Sequence, residues 1–273
     1  MLGSGLDTDS NLRDGTSKQP FAHDTVPATA MTTRLRADRL LVERGLFDSR
    51  AKAHAAIEAG LVRANGAVVR KASDEIAFDA ELIATPAHPY VSRGALKLKA
   101  ALEHFGFDPS GRLCLDVGAS TGGFTELLIE RGAARVYAVD VGSGQLHAKL
   151  RTDGRVVSLE QTDIRKMTSG QLDRPPDFIC IDVSFISLKL VLPAATSLAA
   201  PDAQLVALIK PQFEAGPEHN KKGIVRDRAV QQAVCAEIEA LVASLGWKVL
   251  GILPSPIEGG SGNLEFLLGA VRD

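Results

Sequence analysis

The sequence predicts an α/β protein. Its main domain is a mostly parallel, doubly wound sheet closed by a terminal antiparallel hairpin, and a small α+β module precedes it. Three observations carry this. Leu113-Cys114-Leu115-Asp116-Val117-Gly118-Ala119-Ser120-Thr121-Gly122-Gly123-Phe124-Thr125 reads as an apolar strand ending in an acid, a glycine-dense turn, and a helix running from Thr125 to Arg131. Further apolar runs at Val136–Asp140, Val156–Glu160, Phe178–Asp182 and Leu205–Lys210 alternate with helical stretches, notably Ser187–Leu198 and Asp227–Leu245. The last two strands, Lys248–Leu253 and Leu264–Val271, are joined by a Pro/Gly segment too short for a crossover helix, so they pair antiparallel.

Before this domain the chain reads in short elements. Residues 1–33 form a stretch rich in Asp, Ser, Gly and Thr without periodicity, predicted to be disordered, with Met31 as an alternative start. A module over 34–85 follows. Helices are expected at Ala37 to Glu43, closed by Gly45, and at Arg50 to Ala59, capped by Ser49 and closed by Gly60. Leu61 to Val69 carries Asn65-Gly66 between apolar runs, the signature of a hairpin with a type I′ turn. A strand at Leu82 to Thr85 leads into a linker over 86–91. The large domain spans 92–273 and opens on a helix from Arg93 to His104.

Composition bounds the rest. The 273 residues are 45% hydrophobic and only 5% aromatic, as suits a Val/Leu/Ala-rich α/β protein. No uninterrupted apolar stretch approaches membrane-spanning length and no signal-type core stands at the N-terminus, so a cytoplasmic protein with no membrane partner is expected. Cys114, Cys180 and Cys235 are far apart, and the first two fall in predicted buried strands, where a thiol packs as a small hydrophobe. His88, His104, His147 and His219 show no ligand-type pairing, so no metal is expected. Charge is uneven: Arg34 to Lys71 holds nine Lys/Arg against four acids, leaving +5, whereas the whole chain is −2. A basic module on an acidic domain suggests a polyanion partner, although solvated helix faces look the same.

The Gly-rich loop suggests a cofactor. Glycines let a ligand approach the backbone, the helix N-terminus offers free N–H groups, and Asp140, ending the second strand, can accept both hydroxyls of a ribose. Ser120 stands where a dinucleotide fingerprint has its second glycine, which disfavours a pyrophosphate and hence an NAD-type oxidoreductase. A ligand with ribose but no phosphate fits better, and S-adenosylmethionine is the leading candidate. Taken alone, many such turns merely end strands.

Two resemblances sharpen this. Arg34-Leu35-Arg36-Ala37-Asp38-Arg39-Leu40-Leu41-Val42, Ser49-Arg50-Ala51-Lys52-Ala53 and Gly60-Leu61-Val62-Arg63-Ala64-Asn65-Gly66 resemble the S4 RNA-binding domain. That resemblance implies an RNA-facing set of Arg34, Arg36, Arg50, Lys52, Arg63, Arg70 and Lys71, with Arg50, Lys52 and Arg63 forming a basic face at the second helix and hairpin. In the large domain, Val91-Ser92-Arg93-Gly94-Ala95-Leu96-Lys97-Leu98, the loop Asp116 to Thr125, and Asp182-Val183-Ser184-Phe185-Ile186-Ser187 are followed by Ile209-Lys210-Pro211-Gln212-Phe213-Glu214 and Gly262-Asn263-Leu264-Glu265-Phe266-Leu267. These resemble the FtsJ-type RNA 2′-O-methyltransferases, and the chain from about Arg34 onward resembles the TlyA/hemolysin A family. The resemblance implies a Rossmann-like S-adenosylmethionine-dependent methyltransferase domain. It also implies a catalytic set Lys97, Asp182, Lys210 and Glu265, and a ribosomal RNA or subunit substrate modified at cytidine. The cofactor set it implies is Asp116, Gly118, Ala119, Ser120, Gly122, Gly123, Phe124, Asp140, Asp163 and Asp182. Asp116 either organises the loop or touches the donor, and Asp163 either reaches the adenine amino group or caps a helix.

Those residue types suit the chemistry. A ribose hydroxyl is a poor nucleophile until its proton is withdrawn, and a desolvated lysine can act as base, whereas one beside a carboxylate is held charged. Lys210, ending a strand before a Pro-fixed loop, is expected beside the 2′-OH. Asp182 would orient it near the donor, while Lys97 and Glu265 would place the ribose. The polar loop Glu214 to Gly223 is expected to act as a lid. Ser120 and Ser184 lack a nucleophile-elbow context. A monomer is expected. Other readings are a non-catalytic RNA-binding or ribosome-assembly factor, and a cytolysin, for which the sequence offers no pore segment.

Overall fold

A computed structural model describes residues 33–220, 223–259 and 262–272. The expected disordered N-terminal stretch, residues 1–32, and the lid residues Lys221 and Lys222 lie outside the described residues. The chain divides into two compact units between Ala84 and Thr85.

In the first unit, β1 (Arg34–Arg36) leads directly into α1 (Ala37–Glu43) and pairs antiparallel with β4 (Glu75–Ala77). Neither strand was expected, because three residues are too few to show a period of two. After α2 (Arg50–Glu58), β2 (Val62–Ala64) lies between β3 (Ala67–Val68) and β5 (Leu82–Ala84). The local chemistry follows the sequence: Ser49 Oγ accepts the Lys52 N–H at 3.3 Å. Asn65 and Gly66 have φ of 48° and 79°, the two positive values a type I′ turn needs. Leu40, Leu41, Phe47, Ala53, Ile57 and Val62 make the core.

In the second unit, α3 (Gly94–Phe105) precedes β6 (Leu113–Val117), α4 (Gly123–Glu130), β7 (Arg135–Val139), α5 (Ala148–Arg151) and β8 (Val156–Leu159). Then come β9 (Phe178–Ile181), α6 (Leu188–Ser197), β10 (Gln204–Ile209), α7 (Pro211–Glu214), α8 (Arg228–Ser244), β11 (Trp247–Pro254) and β12 (Phe266–Arg272). The sheet order is β11-β12-β10-β9-β6-β7-β8. Strands β10, β9, β6, β7 and β8 are parallel, and β12 pairs antiparallel with both β10 and β11. Alternation along β6 serves both faces: Leu113, Leu115 and Val117 pack in one core layer, while Cys114 joins α3 and α4 in the other. The thiols are inert core groups, burial pushing Cys114 up to about 12 and Cys180 well above the ordinary range. Tyr90 and Val91, expected in a linker, are buried in this unit's core, and the Val91 N–H donates to Glu126 Oε2 at 2.5 Å. Among the described residues no helix is long and apolar enough to cross a membrane.

This order matters for function. From β6 the chain winds outward through β7 and β8, then returns to the other side of β6 to lay down β9 and β10. A crevice therefore opens at the carboxyl ends of β6 and β9, where doubly wound sheets bind ligands.

Candidate active site

The loop after β6 is shaped by close backbone approach. Gly118 has φ 86°, and a Cβ there would stand 2.5 Å from the Asp182 carbonyl oxygen and 2.9 Å from its carbon, so the loop lies on the end of β9. Ser120 is held at φ 48°, a left-handed conformation that favours glycine. What holds it is Asp140: its Oδ2 accepts the Ser120 N–H at 2.8 Å and its Oδ1 accepts the Gly142 N–H at 2.7 Å. Each oxygen keeps a free lone pair for a ligand hydroxyl. Beyond β8, Glu160 accepts the N–H groups of Gly144, Gln145 and Leu146 at 2.7–3.0 Å, fixing the segment after Asp140. Those three bonds hold its carboxyl below the ordinary glutamate range.

Two cavities meet across this loop. One, of about 620 Å³, has apolar walls from Val139, Val141, Ile164 and Val183, with the carboxylates of Asp140 and Asp163 at its edge. The other, of about 570 Å³, contains Lys97, Asp182, Lys210 and Glu265. Gly118, Ser120, Asp182, Ser184 and Phe185 line both. Each volume is of ligand size.

The second cavity is built from two ion pairs, one buried and one half-buried. Lys97, on α3, and Glu265, just before β12, are 8% and 3% exposed and joined by a short contact. Gln212 Nε2 adds a 3.5 Å contact to the other Glu265 oxygen. Lys210, 7% exposed at the end of β10, has its Nζ 2.6 Å from Asp182 Oδ1 and donates to Ser184 Oγ at 2.8 Å. The approach to Asp182 is a charge contact rather than an aligned hydrogen bond. Sidedness explains the convergence: β6, β9 and β10 run parallel and end together, and antiparallel β12 begins where they end.

The loop residues divide differently from the sequence expectation. Gly118, Ser120, Asp140, Asp163 and Asp182 line the first cavity, whereas Ala119, Gly123 and Phe124 line the second. Gly122 lines neither; at φ 96° it is packed against Leu146 and Leu150. Asp116 also lines neither. It is fully buried beneath the loop, accepting Thr125 Oγ1–H at 2.6 Å with Cys180 Sγ 3.7 Å away, and burial raises its pKa to about 7. Its place is under the start of α4, organising the loop. Asp163 caps a one-turn 3₁₀ helix, accepting the Arg165 N–H at 3.0 Å, and pairs with the Arg165 guanidinium, which holds its pKa down to about 2.

In the first unit, basic residues are partly spoken for. Arg50 Nη2 and Arg36 Nε approach the buried carboxylate of Asp38 at 2.6 and 3.1 Å, and its pKa falls to about 2. Lys52 pairs with Asp48 at 2.8 Å, and Arg63 Nη1 donates to the Gly66 carbonyl at 3.0 Å. Arg34, Arg36, Arg50, Arg63, Arg70 and Lys71 remain exposed and Lys52 is half-buried. Asp38, a bare charge in the sequence, is the organising acid of this cluster.

The chain has counterparts in known families. The model of the FtsJ-like methyltransferase matches residues 90–272, and that of the S4 domain matches residues 35–82. The chain belongs to the FtsJ-like methyltransferases. Within them it falls in the TlyA/hemolysin A group. It is 47% identical to YqxC of Bacillus subtilis, over 85% of this chain and 84% of that one. It is 44% identical to the 16S/23S rRNA (cytidine-2′-O)-methyltransferase TlyA of Mycobacterium tuberculosis, over 87% and 90%. A solved Streptococcus thermophilus structure that carries the hemolysin name superposes with a TM-score of 0.71 at 42% identity, covering 88% of this chain and 89% of that one.

For an FtsJ-like methyltransferase, three residues here make contacts that the sequence did not assign. Phe185 is 91% exposed at φ 64°, with its ring centroid 5.1 Å from that of Phe213. Glu214 ties two of the motifs together, accepting Ser187 Oγ–H at 2.5 Å and the Leu188 N–H at 2.7 Å. Ser184 bonds Lys210. All three sit inside recognisable motifs, but nothing in a sequence reports a strained φ or a cross-loop bond.

Proposed function

We propose that this protein transfers a methyl group from S-adenosylmethionine to a ribose 2′-OH, the acceptor being a cytidine of 16S and/or 23S ribosomal RNA. The observation that carries the reading is the pairing of Lys210 with Asp182 and of Lys97 with Glu265 in one cavity that opens onto the Gly118–Ser120 loop. The rRNA cytidine 2′-O-methyltransferase activity for which the Mycobacterium tuberculosis relative is named supports the choice of acceptor.

The residues fit the cofactor. Asp140 has acceptor capacity left for the ribose hydroxyls, the apolar walls suit an adenine, and Gly118 leaves room that a Cβ would fill. When bound, S-adenosylmethionine supplies an electrophilic methyl on a sulfonium that departs neutral, so no metal is required to stabilise a leaving charge. Asp163, which lines the same cavity, would reach the adenine edge. Asp182 holds Lys210, whose Nζ, once it has given up a proton, takes that of the attacking hydroxyl. The Lys97–Glu265 pair holds the ribose. The open ring of Phe185 offers a stacking face for an unpaired base. Proximity and orientation supply most of the acceleration, with effective molarities on the order of 10⁵ M or more. The S4 unit adds RNA affinity. The enzyme acts in the cytoplasm as a monomer.

The test maps 2′-O-methyl marks in rRNA from cells with and without the gene, beside cells carrying Lys210→Ala. Loss of a cytidine mark in both, with calorimetric S-adenosylmethionine binding by the variant retained, is expected. Unchanged marks on deleting the gene would overturn the acceptor. A Lys210→Ala enzyme with near-normal single-turnover rates would overturn the base assignment.

A further inference from the structure

We propose that Ser184 is a positioning residue for Lys210 and the exit by which the acceptor's proton reaches solvent. The inference rests on the methyl-transfer reading above and extends it to a residue outside the four-residue set.

An ammonium has three N–H groups in a tetrahedral fan. On Lys210 one donates to Ser184 Oγ at 2.8 Å, while Asp182 Oδ1 stands 2.6 Å from Nζ as a charge contact without an aligned N–H. No further partner comes from the described residues, and Lys210 lines the cavity, so Nζ is left facing it. Two anchors on a flexible four-carbon side chain fix that direction, whereas Asp182 alone leaves Nζ free to rotate about one contact. Ser184 lies two residues beyond Asp182 on the loop after β9, so both anchors move with one piece of backbone.

The surroundings of the two anchors differ. Both line the two cavities, but Asp182 is half-buried whereas Ser184 is exposed. Because Lys210 donates to Ser184 Oγ, the hydroxyl proton of Ser184 is directed away from Nζ, and an exposed side chain can give it to solvent. The step then balances. Lys210 first passes a proton to Ser184 Oγ as Ser184 gives its own to water, leaving a neutral amine. The acceptor oxygen then bonds to the methyl carbon, the carbon–sulfur bond breaks with its electron pair on sulfur, and the hydroxyl proton passes to Lys210 Nζ, restoring the ammonium with one proton released overall.

Ser184→Ala, Ser184→Thr and Ser184→Val separate hydroxyl from shape, since Thr and Val have nearly equal volume. Single-turnover methyl transfer to rRNA would be measured in H₂O and D₂O, with S-adenosylmethionine affinity by calorimetry. Losing a hydrogen bond to a charged partner predicts a single-turnover rate about tenfold to a hundredfold lower for the Ala and Val variants. A larger solvent isotope effect and unchanged cofactor affinity should accompany it, with Thr restoring most of the rate. Ala within about twofold of wild type, Val equal to Thr, or an isotope effect equal to wild type would overturn the proposal. So would a loss that appears mainly as weaker cofactor binding, because Ser184 would then only shape the loop. If the wild-type enzyme leaves no 2′-O-methyl mark, it is the underlying reading that fails.

Discussion

Alanine at Gly118, Gly122 and Gly144 separates backbone strain from steric contact in the cofactor loop region. All three have positive φ, of 86°, 96° and 66°, so each alanine suffers a left-handed penalty of about 1–2 kcal/mol. At Gly144 nothing lies within 4 Å of the new Cβ, so strain is the whole cost. At Gly122 the Cβ meets Leu150 Cδ1 and Leu146 Cδ1, the ends of side chains that can swing aside, adding roughly 1 kcal/mol. At Gly118 it meets backbone: the Asp182 carbonyl oxygen at 2.5 Å, its carbon at 2.9 Å and Val183 N at 3.1 Å. The end of β9 cannot yield without shifting Asp182, so overpacking adds about 1–3 kcal/mol, for a total of about 2–5. Urea unfolding should rank the losses Gly118 > Gly122 > Gly144. Because Asp182 anchors Lys210, the Gly118 variant should also lose methyl transfer well beyond its loss of stability. Equal stabilities for the three variants, with cofactor affinity intact in Gly118→Ala, would refute the close-approach argument.

Two further outcomes follow from the site. Asp140→Ala should weaken S-adenosylmethionine binding by more than a ribose contact alone, because Ser120 and Gly142 lose their acceptor as well; calorimetry that finds unchanged affinity places the ribose elsewhere. Reversing the charges of Arg50, Lys52 and Arg63 should weaken RNA binding and flatten its dependence on salt, since counterion release scales with phosphate contacts; an unaltered salt slope removes these residues from the interface.

Much of this was legible in the sequence. The Gly loop, Asp140, and the ordered motifs holding Lys97, Asp182, Lys210 and Glu265 are local signals. Their convergence follows once the strands are parallel and end together. The insertion of β12 between β10 and β11 was not legible, since a short connection fixes antiparallel pairing but not which neighbour the second strand takes on its other side. Asp116 and Gly122 were grouped with ligand contacts because they lie in the loop motif, yet a residue in a strand or tight turn can face inward and still be indispensable to the loop. The Asp38 cluster was hidden for a similar reason: Asp38 and Arg50 are twelve residues apart, and only the packing of α1 against α2 brings them together.

Asp116 also makes the fold's stability depend on pH. Its carboxyl is buried beside Cys180 and Thr125, and burial, with the charge of Asp182 adding, moves its pKa from 3.8 to about 7. The unfolded chain ionises this group near 3.8 whereas the folded chain keeps it protonated to about 7, so the sign is fixed. The contribution is full below about pH 4, declines as pH rises toward 7, and is spent above that. The shift corresponds to a loss of about 4 kcal/mol at most across that interval. Asp116→Asn keeps the shape and an acceptor for Thr125 Oγ1–H but cannot ionise. It should therefore unfold in urea with a stability that is flatter between pH 5 and 8 than wild type, and should be the more stable of the two at pH 8. Parallel pH profiles for the two proteins would mean that Asp116 is ionised in the fold at neutral pH, with Thr125 and the N-terminus of α4 sufficient to hold its charge.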